Sequence, residues 1–317
     1  MSEQVLRGSQ LTGFGHYQPE RVLTNDELAT MVDTTDEWIR TRTGIRERHI
    51  ANETETVASM ATEAARMALK DAGLESVSLV IVASTTLSDR TPFTAARVAD
   101  ALGMPGPAVI DINTACSGFE HAVALADQAI RSGSADSALV IGAERLSDVT
   151  DWSDRRTCIL TADGAGAAVL VASDDPGVSP VVWGSVPGMT NAVVISGEPE
   201  YFSQDGQGIM RWALTKAAPH VRRALDVAGV TIDDIDVVAF HQANLRLIEP
   251  LAKSIGVNDR HVLIHDIEES GNTSAASVPL GLSKAWHRGE LPRGGRALLF
   301  GFGGGFAFAG QVVRLPM

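Results

Sequence analysis

Cysteine is scarce in this chain: two in 317 residues, Cys116 and Cys158. That is too few for a disulfide framework and points to a reducing, cytoplasmic setting. Basic runs are absent. Lys and Arg total 26 against 39 Asp and Glu, and the formal net charge is −13, so nucleic acid is not expected as a partner. The opening MSEQVLRGSQ has no apolar core segment and gives no sign of a secretory signal. No hydrophobic run reads as a membrane span. The most apolar late stretch, ALLFGFGGGFAFAGQVV, carries five glycines and reads as strand, turn, strand. What remains is 44% hydrophobic and 21% charged, the composition of a soluble globular protein with one large domain or two fused ones.

The chain repeats itself. AARMALKDAGLESVSLVIVAS and HVRRALDVAGVTIDDIDVVAFHQ share one grammar: an alanine-rich helix, an Ala-Gly stop and an apolar strand. The stops, Gly73 and Gly229, lie 156 residues apart. ADQAIRSGSADSALVIGAE and LSKAWHRGELPRGGRALLFGFG repeat a second unit, and Gly133 and Gly289 are again 156 apart. A hairpin-like unit closes each half, ADGAGAAVLVAS and FGGGFAFAGQVV. The strands SLVIVAS, SALVIGA, DVVAF and ALLF are near-continuous apolar runs, which suit sheets buried on both faces. Alternating helices and strands predict two α/β halves, about 1–172 and 173–317, with largely parallel sheets. The Gly/Pro/Ser-rich stretch from Gly177 to Gly208 reads as a linker and surface loop.

Three residues have the chemistry for a site. Cys116 ends the strand-like PAVIDINTA and precedes a helical pattern with Phe119, Val123, Ala126 and Ile130 on one face. A helix N-terminus there favours a thiolate and offers N–H groups to an oxyanion; a buried structural thiol is the alternative. Cys158, among apolar neighbours, reads as structural. His241 ends the strand DVVAF, where α/β folds place functional groups, although a hydrogen-bonded structural histidine fits as well. Asn272, in SGNTSAASVP, is by itself an ordinary cap or turn residue. The repeat places it near the position that Cys116 holds in the first half, so the two are expected at pseudo-equivalent helix starts close to a pseudo-dyad.

TACSGF, HQANLR, GNTSAASVP and FGGGF, in that order, with TTDEWIRTRTGIRERHI before them and ADGAGAAV between, resemble the β-ketoacyl-acyl-carrier-protein synthase III family of the thiolase superfamily. The resemblance runs from about Gly13 to Arg314. It implies an α/β thiolase-like fold, two pseudo-symmetric halves in a five-layered α-β-α-β-α arrangement, and a homodimer. It implies an acyltransferase that condenses an acyl-CoA primer with malonyl-acyl carrier protein, with coenzyme A as part of a substrate, no separate cofactor and no metal. Cys116 would be the nucleophile, with His241 and Asn272 assisting decarboxylation and the N–H groups of Cys116 and Gly304 forming the oxyanion hole. Thr34, Trp38, Arg42, Arg155 and Asn244 would hold coenzyme A, Trp38 and Arg155 on opposite faces of its adenine. Arg211, Arg246 and Lys253 would dock the acidic carrier protein.

The chain departs from the family in two places. Pro92-Phe93 stands where Phe-Pro is common, in a loop that in the family crosses the dimer interface and helps shape the acyl pocket. Thr161 stands where some members carry a large aromatic, and is expected to widen that pocket. Intact His241 and Asn272 favour condensation over plain acyl transfer. A secondary-metabolism ketosynthase of polyketide priming, or an acyltransferase to another acceptor, stays open as the alternative. A non-catalytic partner subunit would usually lack the cysteine, and a thiolase would want a second one near the glycine turn, which FGFGGGFAFAG does not have.

Overall fold

The structure, a computed structural model, describes residues 8–317. Two five-stranded sheets carry the fold. The first is built from β1 (Gly8–Tyr17), β4 (Leu79–Ala83), β5 (Ala108–Ile112), β6 (Ser137–Arg145) and β7 (Asp163–Ser173), in the order β1-β7-β6-β4-β5. The second uses β8 (Val182–Ser185), β11 (Val237–Phe240), β12 (Val262–Leu263), β13 (Arg296–Phe302) and β14 (Ala307–Arg314), in the order β8-β14-β13-β11-β12. In both, the first two pairings are antiparallel and the last two parallel. Two small ribbons, β2 (Val22–Thr24) with β3 (Glu47–His49) and β9 (Val193–Ser196) with β10 (Tyr201–Gln204), stand apart.

Helices fill three layers. α3 (Val57–Ala72) and α4 (Thr94–Ala101) cover the outer face of the first sheet, and α6 (Gly206–Ala228) lies on the second with α7 (Leu245–Ile255) packed beside it. Between the sheets lie α5 (Gly118–Arg131) and α9 (Ser277–His287), each touching strands of both. Short helices α1 (Asn25–Leu28), α2 (Asp36–Thr43) and α8 (Ile267–Ser270) decorate one end. A sheet in such a stack is covered on both faces, so β4 (LVIVA) and β11 (VVAF) are buried at every position.

The duplication shows in the local geometry. Gly73 and Gly229 both end their helices in the left-handed region, at φ 68° with ψ 29° and 28°, a conformation glycine adopts without steric cost. The 156-residue offset does not hold through the middle, however. A 3-10 turn at Ala115–Ser117 precedes α5, and its counterpart at Ser274–Ala276 precedes α9, an offset of 159 from 115 to 274. α5 has 14 residues and α9 has 11, which restores the earlier offset by Gly133 and Gly289. The counterpart of Asn272 is therefore Asn113, and that of Cys116 is Ala275. The two asparagines even make the same bond: Ala115 N–H donates to Asn113 Oδ1 (3.1 Å), and Ser274 N–H to Asn272 Oδ1 (2.9 Å).

A second correction concerns the stretch from 177 to 208. It is not a linker. β8 completes the second sheet, and β9 and β10 form a hairpin whose apolar side chains face a cavity. Its alternating, short apolar segments are weak strand signals beside the long buried runs.

Candidate active site

The 3-10 turns that open α5 and α9 meet at the centre of the molecule. Around them lies a cavity of about 450 Å³ lined by Cys116, Asn272, Ser274 and Gly304, with Thr85 and Glu200, and by the apolar Leu146, Val193, Val194, Ile195 and Phe202. Three non-glycine residues near it hold positive φ: Ala115 (49°), Ser274 (48°) and Phe306 (49°). Each such residue costs ~1–3 kcal/mol, and such strain gathers at functional sites. Here it aims Cys116, the inward face of Ser274 and the glycine turn at one space. A Cβ on Gly303 would fall on the Cys116 side chain, 2.7 Å from its Cβ and 2.9 Å from Sγ, so only glycine lets the turn come this close.

Cys116 is buried, and burial pushes its thiol up to about 12; a hydrogen bond from Ser274 pulls the other way, while the Glu144 and Glu120 carboxyls add to the rise. The helix start therefore does not leave a free thiolate at rest. Glu144 is fully buried and held by Thr85, Thr86 and Ser84, with Thr86 Oγ1 donating at 2.7 Å. Desolvation pushes its carboxyl upward.

His241 directly follows β11, its N–H donating to Phe300 O at 2.9 Å. Its ring lies edge-on to Phe302 (6.2 Å between centroids), which precedes the Gly303 that touches Cys116. Burial lowers its pKa to about 3, so the ring is neutral. Asn272 is held on both sides: its N–H donates to Leu160 O (2.8 Å) and its carbonyl accepts from Ala162 N–H (3.0 Å). With Oδ1 committed to Ser274, its NH2 group is the end left to donate. Arg48, wholly buried, donates to Ile159 O (2.9 Å) and so braces the turn that leads to Leu160, the partner of Asn272 N–H.

Thr161, expected at the cavity wall, lies behind it. It is fully buried, bridges to Asn272 through the backbone, and shares a 2.7 Å hydroxyl bond with Thr150. Its small size is accounted for by this packing, not by a wider pocket. Pro92 and Phe93 sit on an exposed loop leading into α4 and are not part of the cavity wall of this chain. Within this chain, apolar wall comes from the β9–β10 hairpin, in the stretch expected to be a linker and surface loop.

Trp38 and Arg42 lie on α2, with the Arg42 guanidinium 4.6 Å from the indole centroid. Arg155 also stacks on the indole itself, at 4.8 Å, and donates to Asp33 O (2.5 Å). A base sandwiched between the two would hold them about 7 Å apart, two stacking distances; direct cation–π contact closes that gap here. The Thr34 hydroxyl is buried and has no hydrogen-bond partner among the described residues. Asn244 caps α7, its side chain accepting from Arg246 N–H at 2.9 Å. Arg211 on α6 and Arg246 and Lys253 on α7 are all exposed. Arg246 and Lys253, two helical turns apart, share a face. Arg222 instead joins α6 to α7 by donating to Ser254 O.

Glu120, four residues after Cys116 on α5, is a buried carboxyl for which neither oxygen has a hydrogen-bond partner among the described residues, and burial pushes it up to about 8. An unfolded glutamate ionises near 4.5, so the folded chain keeps a proton that the unfolded chain releases. Stability then falls as pH rises from about 5 to about 8, by up to ~4 kcal/mol. Glu120→Gln is expected to remove that slope: melting temperatures of the variant should change less than those of the parent over this range. Parallel pH curves for the two proteins would contradict the assignment.

Among the described residues, no cluster of three or more His, Cys, Asp or Glu is arranged to hold a metal, and no helix is long and apolar enough to cross a membrane.

Comparison with known proteins agrees with this geometry. Residues 110–187 match the family model of 3-oxoacyl-[acyl-carrier-protein (ACP)] synthase III, and 225–315 match that of its C-terminal part. The chain is 55% identical over 315 residues to "Beta-ketoacyl-[acyl-carrier-protein] synthase III 4" of Streptomyces coelicolor, covering 98% of this chain and 99% of that one. Among solved structures, the priming β-ketosynthase of a polyketide biosynthetic pathway superposes with a TM-score of 0.95 at 40% identity, covering 98% of this chain and 97% of its own. The 3-oxoacyl-[acyl-carrier-protein] synthase III of Aquifex aeolicus gives 0.92 at 39% identity, with 97% and 100% covered. A duplicated five-layer fold, a cysteine and an asparagine on one cavity with a histidine at a strand end beside it, and matches along the whole length place the chain in the β-ketoacyl-acyl-carrier-protein synthase III family of thiolase-fold acyltransferases.

Proposed function

We propose that this protein primes chain synthesis by decarboxylative Claisen condensation of an acyl-CoA with malonyl-acyl carrier protein. The observation that carries the reading is the convergence of Cys116 and Asn272 on one largely apolar cavity, with His241 buried and neutral beside it. Cys116 Sγ bonds to the primer carbonyl, the coenzyme A sulfur leaves, and the thiol proton goes with it. The N–H groups of Cys116 and Gly304 hold the intermediate oxyanion; Gly303 N–H is already engaged by Ala307 O at 3.1 Å. Malonyl carrier protein then enters and its carboxylate leaves as CO₂. The released electron pair becomes an enolate held by His241 and Asn272, and its carbon attacks the acyl-Cys116 carbonyl; the carbon–sulfur bond to Cys116 breaks, the β-ketoacyl product leaves on the carrier protein, and the Cys116 thiolate takes a proton from solvent to restore the thiol.

Trp38, Arg42 and Arg155 form the platform for the nucleotide, which the Thr34 hydroxyl also contacts, and Asn244 lies toward the pantetheine arm. Entry of the base between Trp38 and Arg155 requires Arg155 to swing away from the indole. Arg211, Arg246 and Lys253 form the carrier-protein surface. A second copy completes the assembly: β5 is an edge strand with Ile110 45% exposed, and Phe93 nearby is 38% exposed, an apolar edge that a partner strand would cover. The polyketide-priming relative favours a second reading, in which the same chemistry serves a polyketide carrier protein.

The test is direct. The protein is incubated with a panel of acyl-CoAs and the retained acyl group is read by intact mass, then CO₂ release is measured with malonyl-carrier proteins of fatty acid and polyketide type. A stable acyl adduct and CO₂ release support condensation. An adduct without CO₂ release would reduce the enzyme to an acyltransferase, and the preferred carrier separates the two pathways.

A further inference from the structure

Among the described residues, the His241 ring hydrogen-bonds one side chain, Ser277, the first residue of α9. Ser277 Oγ lies 2.8 Å from His241 Nδ1, and it also accepts from the Gln242 N–H at 3.2 Å. Both residues are buried. A neutral imidazole carries one proton, and a serine hydroxyl has one donor and two acceptor sites. Two arrangements satisfy the 2.8 Å contact. In the first, the Ser277 O–H donates to Nδ1, and the imidazole proton sits on Nε2. In the second, Nδ1–H donates to Oγ, and the Ser277 proton needs another acceptor. Among the described residues, Ser277 Oγ has hydrogen-bond contacts with His241 Nδ1 and Gln242 N alone. The second arrangement would strand a buried hydroxyl proton, which is costly. The first points the hydroxyl proton at Nδ1 and leaves Nε2–H free for a ligand.

From this geometry we infer that Ser277 is a positioning residue that fixes His241 as the Nε2–H tautomer. The inference rests on the condensation reading of the site and deepens it. Nε2–H can donate to the enolate oxygen that forms when malonyl loses CO₂. It cannot take a proton from Cys116. His241 therefore serves the second half-reaction and not the first, and Asn272 is set the same way, its Oδ1 tied to Ser274 so that its NH2 points outward. One bond to a helix start thus turns each side chain into a donor. Phe302, edge-on to the ring, keeps its plane in place.

Nitrogen-15 NMR of histidine-labelled protein tests the tautomer without any substrate. Wild type is expected to show a protonated-type shift at His241 Nε2 and an unprotonated-type shift at Nδ1. Ser277→Ala should mix the tautomers, lower CO₂ release from malonyl-carrier protein about tenfold, and leave Cys116 acylation by acyl-CoA within about twofold. Ser277→Thr, which keeps the hydroxyl, should restore both the shift pattern and the CO₂ rate. A wild-type Nδ1–H signal would overturn the inference. So would a Ser277→Ala protein that slows both half-reactions equally or neither. Absence of CO₂ release from wild type would instead remove the condensation reading, and the NMR assignment would then decide the role of Ser277 by itself.

Discussion

Cys116→Ala is expected to abolish retention of any acyl group and to cut turnover by on the order of 10⁴-fold or more, because the covalent intermediate has no other nucleophile. Cys158 does not substitute for it: it is wholly buried in an apolar cluster, and burial raises its thiol to about 11. The variant should fold, since the lost sulfur is small and the glycine turn against it gains space rather than a clash. Intact mass after incubation with acyl-CoA gives the readout. Acyl label on Cys116→Ala protein would remove Cys116 from the mechanism. Because the resting thiol is protonated, acylation of the parent should also accelerate with pH up to the limit of the protein's stability, the thiolate fraction rising tenfold per pH step below about 12.

His241→Ala and Asn272→Ala should each lower CO₂ release from malonyl-carrier protein by about 10²–10³-fold, the usual effect of deleting one donor from a buried oxyanion site. Acylation of Cys116 should change far less, since neither side chain serves that step. Their combined loss should fall short of the product of the single losses, because both act on one oxygen. Wild-type CO₂ release from Asn272→Ala would take the asparagine out of the reaction. The structure also says what else must be preserved for a clean comparison: the peptide groups of Asn272 pair with Leu160 and Ala162, so the backbone stays in place when the amide is removed.

Much of this protein could be read from its residues in order. The long buried strands, the Gly73 and Gly229 stops and the repeat spacing follow from local rules, because apolar runs and left-handed glycines carry their meaning within a few positions. The ordered motifs around Cys116, His241 and Asn272 were enough to name the chemistry. The partners of the repeat were not. A three-residue difference in helix length shifted the register at the one place that matters, so that Asn272 answers to Asn113, and Cys116 to Ala275. Nor could the sequence say what Thr161 packs against, since a small residue beside a site can open a cavity or fit beneath one.

The amino-acid sequence alone determined the duplicated α/β fold, through periodicity and repeat spacing, and the class of reaction, through the resemblance of its ordered motifs to a known family. Tertiary structure decided the electrostatics. Glu120 and Glu144 both act on the Cys116 thiol; Ser277 reaches His241 across 36 residues; and a hairpin without a strong pattern walls the cavity. Protonation state and tautomer are set by what surrounds a group in space, and only folding brings those neighbours together.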